Sequence, residues 1–158
     1  MWKKIKPYVV SILIALGVGG LSAFLTRNGM DVYANINQPS LAPPGFIFPI
    51  VWTILFTLMG ISSAIVFKNY DEKPDEVYSA LKVYSLQLIV NFFWSIIFFN
   101  MQAYLFAFIW LILLLILIVI MIIEFKKVSN VAAYLQTPYL LWVIFATYLT
   151  YMIYILNK

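Results

Sequence analysis

The sequence contains no cysteine and no histidine. Those two absences remove disulfides, thiolate nucleophiles, imidazole general bases, zinc sites and the usual axial haem ligands. Charge is scarce as well: 10% of the residues are charged, where a soluble domain has about a quarter. Of the six acidic residues, Asp71, Glu72, Asp75 and Glu76 share one stretch, and Asp31 and Glu124 stand apart. None falls inside an apolar run, so a carboxylate-driven ion pathway through a membrane has no carboxylate to use. The net charge of +4 is not a nucleic-acid signal, because the basic residues are scattered through loops and tails. There is also no internal repeat, which weighs against repeat-built transporters.

What the chain has is apolar surface. Hydrophobic residues make up 65% of it, and the mean hydropathy is +0.98. This composition defines an all-α integral membrane protein, a single membrane domain over residues 1–158 with no soluble domain. Five spans are expected, at about 8–25, 48–67, 83–100, 104–123 and 131–156. Each is long enough to cross a hydrocarbon core at about 1.5 Å per residue. Lys3, Lys4 and Lys6 ahead of the first span resemble the start of a signal peptide, but further helix and Arg27 follow, so the segment reads as an anchor. Ala15, Gly19 and Ala23 form a small-residue stripe that serves either packing inside the bundle or a dimer. The fourth span is apolar all round and reads as the most lipid-exposed, with Trp110 its one inward candidate. In the fifth, Pro138 predicts a kink near Tyr134, and Ser129 is a candidate N-cap. Segment 68–82 reads as a solvated charged loop.

Lysine and arginine set the expected topology. The N-terminus and the second and fourth connections hold Lys3, Lys4, Lys6, Lys68, Lys73, Lys82, Lys126 and Lys127, against Arg27 and Lys158 on the other side. The bias predicts a cytoplasmic N-terminus. The long connection, about 27–47, would then lie outside. Its Tyr33, Leu41 and Phe46 give it apolar surface with which to fold back as a lid.

The stretch from Gln38 to Gly60 organises the rest. Pro39, Pro43, Pro44 and Pro49 make a stiff non-helical entry into a helix that presents Trp52, Phe56 and Gly60 at four-residue intervals. That pattern is either the wall of a pocket or a membrane-interface turn with its aromatic belt. On the third span, Gln87, Asn91 and Ser95 share a face beside Trp94 and Phe98. Polar groups there either bond between helices or form the polar wall of an aromatic cavity. Trp52, Phe56, Trp94 and Trp142 suit a flat, ring-bearing ligand, which Gln87 and Asn91 could orient.

These pieces, in order, resemble the translocator protein family, whose bacterial members are tryptophan-rich sensory proteins and whose animal member is the peripheral benzodiazepine receptor. QPSLAPPG resembles the family's first loop and FPIVWTILFTLMGISSA its second helix. Gln87, Asn91, Trp94–Ser95 and Phe98–Phe99 fit its third helix, and PYLLWVIFATYL its fifth. The resemblance implies a five-helix bundle, often dimeric, that binds porphyrins and other tetrapyrroles, synthetic isoquinoline and benzodiazepine-type ligands and, in animals, cholesterol. No bound cofactor is implied; porphyrin enters as ligand. Carried onto this chain, the pocket lining would include Tyr33, Pro43, Trp52, Asn91, Trp94, Trp142 and Ala146. Some members are reported to degrade porphyrin in light, and Trp52 and Trp142 match the tryptophans involved. A carrier or adaptor role is the remaining alternative, and the bacterial cytoplasmic membrane the expected location. Leu41, Phe56 and Thr150 stand where the family often has tryptophan, tyrosine and asparagine, which makes this pocket more apolar.

Overall fold

The computed structural model describes Met1–Lys158 and is helical throughout, with no strand. Helix α1 is Trp2–Leu25, and it ends where the Thr26 hydroxyl donates to the Ser22 carbonyl at 2.8 Å. A short helix, α2 (Gly29–Asn35), follows. Two hydrogen-bonded turns, Pro39–Ala42 and Pro44–Ile47, then lead into α3, Ile47–Phe67, whose first turn accommodates Pro49 because N–H groups there lack intrahelical partners anyway. Helix α4 is Pro74–Ser95, opened by proline and by Asp75 and Glu76, which complement its N-terminal dipole. A π-turn, Ile96–Asn100, extends it to a tight connection in which Gln102 takes a φ of 51°. Helices α5 (Tyr104–Val128), α6 (Asn130–Leu135) and α7 (Thr137–Asn157) complete the chain. Five segments are long and apolar enough to span a membrane: Trp2–Leu25, Ile47–Phe67, Pro74–Asn100, Tyr104–Val128 and Asn130–Asn157.

The spans form a closed ring. Helix α1 packs on α3, α3 on α6, α6 and α7 on α5, α5 on α4, and α4 returns to α1. The closest approach is made by Gly60, where a Cβ would fall 2.5 Å from the Ile12 Cα. Ala15 of the small-residue stripe is fully buried, and Gly19 faces the Phe56 ring, so the stripe serves the bundle at these two positions. Gly17 and Gly20 face open space.

Four expectations are corrected. The third spanning helix starts at Pro74, not near 83, so the charged stretch is a turn over 68–73 followed by exposed helix. The long connection, which contains α2, folds back through only one of its three apolar side chains. It buries Tyr33 but leaves Leu41 and Phe46 66% and 65% exposed. The fifth span is two helices that break at Gln136, with Pro138 in the first turn of α7. Ser129 caps α6 by accepting from the Ala132 N–H at 3.3 Å. Finally, α1, not α5, buries least, with 11% of its apolar window buried against 28%. Helix α5 has α4 on one side and α6 and α7 on the other, a position its uniform composition conceals. Trp110 does turn inward, donating from Nε1 to the Val90 carbonyl at 2.7 Å.

Candidate ligand pocket

Helix α3 packs closely on α6, but its N-terminal half stands off from α7. Aromatic rings fill the gap. Phe48 meets Trp142 edge-on at 5.9 Å, Trp52 meets Tyr139 at 6.2 Å, and Tyr33 of α2 covers Phe48 at 5.0 Å. On the far side, Trp94 stacks on Phe98 at 5.2 Å.

These rings enclose two chambers. The smaller, about 20 Å³, lies among Tyr33, Trp142, Ala146, Leu149 and Thr150. The larger, about 240 Å³, lies between α1, α3 and α4 and is bordered by Gly19, Ser22, Arg27, Phe56, Asn91 and Ser95. Phe48, Trp52, Trp94 and Phe99 belong to both and form the wall between them.

The polar groups divide into a locked set and a free one. The Asn91 amide donates to the Tyr139 hydroxyl at 2.7 Å, and that hydroxyl donates to Gln87 Oε1 at 2.6 Å. All three residues are buried, so the relay ties α4 to α7 through the core. The indole N–H groups of Trp94 and Trp142, by contrast, are buried without an acceptor. Most buried donors are paired, so two unpaired ones bordering the small chamber set it apart from the relay.

Above the chambers, the Tyr33 hydroxyl donates to the Pro43 carbonyl at 2.7 Å, and Gln38 Nε2 donates to the Tyr33 carbonyl. Burial raises the Tyr33 phenol above its ordinary value, so it stays neutral and remains a donor. A second tether joins the connection to the end of α7. The Asn37 N–H donates to Asn157 Oδ1 at 3.0 Å, and Asn157 Nδ2 donates back to the Asn37 carbonyl at 2.8 Å.

Of the residues singled out from sequence, Tyr33, Trp52, Phe56, Asn91, Trp94, Trp142 and Ala146 line one chamber or both. Pro43 lines neither and acts through its carbonyl on Tyr33. Gln87 lines neither chamber; it is fully buried and accepts from the Tyr139 hydroxyl as part of the relay. Sequence reasoning missed Tyr139, Phe48, Phe99 and Arg27. Tyr139 was hidden beside Pro138, in a stretch read for its kink. Arg27 carried a usable signal, being the lone cation between the first two spans.

A ring of five spanning helices around an aromatic, sparsely polar cavity defines a polytopic helical membrane protein. The chain belongs to the TspO/MBR family, whose model matches residues 10–156. It is 38% identical to the tryptophan-rich protein TspO of Chlorobaculum tepidum, over 94% of this chain and 92% of the relative. It is 35% identical to that of Archaeoglobus fulgidus, over 94% and 95%. Against the human translocator protein the identity is 32%, over 84% of this chain and 79% of the relative.

Proposed function

We propose that this protein is a membrane receptor for porphyrins and related flat tetrapyrroles, taken up between α3, α4 and α7 with its N-terminus in the cytoplasm of a bacterium. The observation that carries the reading is the pair of unpaired indole N–H groups, Trp94 and Trp142, set among stacked rings. Rings offer a macrocycle broad apolar faces, and the indoles offer donors to its carboxylates or carbonyls. Arg27 at the border of the larger chamber adds a cation for a carboxylate side chain. A chamber of about 240 Å³ is below the about 300–1,000 Å³ of ordinary ligand sites. Binding therefore involves rotation of the shared Trp52 and Trp94 wall, which joins the two chambers.

Titration of the detergent-purified protein with protoporphyrin in the dark tests this. Saturable binding is expected, read from porphyrin absorbance as well as from tryptophan quenching. Trp52→Phe combined with Trp142→Phe should weaken it; unchanged affinity in that double variant overturns the pocket. Illumination separates a second reading, motivated by Trp52 and Trp142 bordering the same small chamber. A new pigment that forms only with protein and light makes the protein an enzyme of porphyrin breakdown.

A further inference from the structure

The break in the fifth span, between α6 and α7, leaves polar groups unused. Pro138 has no N–H, and its ring crowds the carbonyl of Tyr134, so the helix cannot run straight through. Two main-chain bonds cross the break: the Gln136 N–H donates to the Ala133 carbonyl at 3.1 Å, and the Leu140 N–H to the Gln136 carbonyl at 3.2 Å. The rung between them, from the Tyr139 N–H to the Leu135 carbonyl, is not made. Tyr139 is 1% exposed, so bulk solvent does not reach that N–H.

The Gln136 side chain is a second, independent observation. It stands at the N-cap of α7 without capping it. It is 0% exposed, and neither Oε1 nor Nε2 bonds to anything in the protein. Few native side chains give up water on both ends of an amide for nothing in return. Gln87 is buried to the same degree and shows the ordinary arrangement, with its Oε1 accepting from the Tyr139 hydroxyl at 2.6 Å. Ser62 reaches α6 one turn earlier, where it donates to the Ala132 carbonyl at 2.7 Å. An acceptor of that kind would serve Nε2 and still leave Oε1 unbonded. Ala132 and Ala133, on the same face as Gln136, are both buried, so α6 sets only methyl groups beside the amide.

Whatever occupies the break must both donate and accept. A cation would suit Gln136 Oε1 and the Leu135 carbonyl but would face the Nε2 and Tyr139 donors, and an anion has the opposite fault. A lipid cannot reach a side chain with no exposure. We infer that an ordered water molecule sits in the break as the missing rung of the helix. It accepts from the Tyr139 N–H, donates to the Leu135 carbonyl and bonds the Gln136 amide, which acts as its side-chain ligand. Water inserted into a helix ladder in this way is a recognised cause of kinks, and buried waters make about three hydrogen bonds each. At the helical rise, Gln136 lies about 9 Å from the start of the span at Asn130, so the water can exchange with the aqueous face at that end. Gln136 borders neither aromatic chamber, and the site is separate from them.

The test is water-edited solid-state NMR of the full-length protein, isotopically labelled and reconstituted in lipid, in which magnetisation passes from water to nearby protons. Transfer is expected at Gln136 Nε2 and at the Tyr139 N–H, and not at Gln87 Nε2. Gln136→Met keeps the length of the side chain and removes the amide. Transfer to Tyr139 should then fall roughly fivefold, the worth of one hydrogen bond. Gln102→Met, exposed on a distant connection, should leave it unchanged. No transfer at Gln136 in the unaltered protein overturns the site. Equal transfer at Gln87 overturns it too, by showing general wetting of the core. Undiminished transfer to Tyr139 in Gln136→Met removes the amide as the ligand. A Gln136 signal that moves when chloride is exchanged for sulfate replaces the water with an anion. The comparison of Gln136 with Gln87 needs no variant, so the proposal stays open to refutation should Gln136→Met fail to fold.

Discussion

The two halves of α3 make opposite use of one helix. Its C-terminal half carries Met59, Gly60, Ser62, Ala64 and Val66, all buried. Small residues there let neighbours approach: Gly60 meets the Ile12 backbone, and the Ser62 hydroxyl donates to the Ala132 carbonyl of α6 at 2.7 Å. Its N-terminal half carries Phe48, Trp52 and Phe56, and α7 stands away from it. Large rings hold the helices apart yet do not fill the space, and the chambers are the remainder. Side-chain size thus sets interhelical distance, and the chambers lie where that distance is greatest.

The comparison can be broken at Gly60. In Gly60→Val the new side chain meets the backbone of α1, which cannot swing aside. Overpacking of this kind costs about 1–3 kcal/mol or more. The largest fall in Tm of any single variant, or loss of folded protein, is expected. Gly19→Ala sharpens the point. Its methyl would meet only the Phe56 ring, which borders the larger chamber and can turn into it. Stability should fall less, while porphyrin affinity should change. A Gly60→Val protein as stable as Gly19→Ala would contradict the contrast between the halves.

Tyr139→Phe comes next in size. It leaves Gln87 Oε1 and the Asn91 amide without their partner in the core. An unsatisfied buried group costs about 1–3 kcal/mol. The fall in Tm should be largely restored by adding Gln87→Met and Asn91→Leu, because removing a whole network is cheaper than halving it. No restoration would mean that Tyr139 acts through packing and not through the relay.

How much of this was legible in the sequence depends on which interaction decided each feature. Spans and membrane class follow from apolar composition, a property summed over about twenty residues, and they were readable. The Trp52–Phe56–Gly60 face was readable because one helix carries it at a fixed period. Whether Gln87 pointed at a ligand or at another helix was not, since both uses require the same buried amide. The answer lay in Tyr139, distant in the chain. The placing of the helices was hidden for a related reason: α5 is apolar on every side, so nothing local says that more of it is buried than of α1.

The smallest expected effect on stability concerns the tether over the chambers. Asn157 both donates to and accepts from Asn37, and Asn37 Nδ2 also donates to the Leu156 carbonyl at 3.2 Å. These bonds are exposed, where each is worth about 0.5–1.5 kcal/mol or less. Asn157→Ala should therefore leave Tm almost unchanged. Its kinetic effect should be larger, because these are the bonds that fasten the connection to the end of α7, beside the small chamber. If the connection must lift for a porphyrin to enter, stopped-flow association and dissociation should both accelerate in Asn157→Ala, with the equilibrium affinity little altered. Unchanged rates would place the entry route elsewhere, through the side of the larger chamber between α1 and α4. The connection would then serve to bury Tyr33 and not to gate the site.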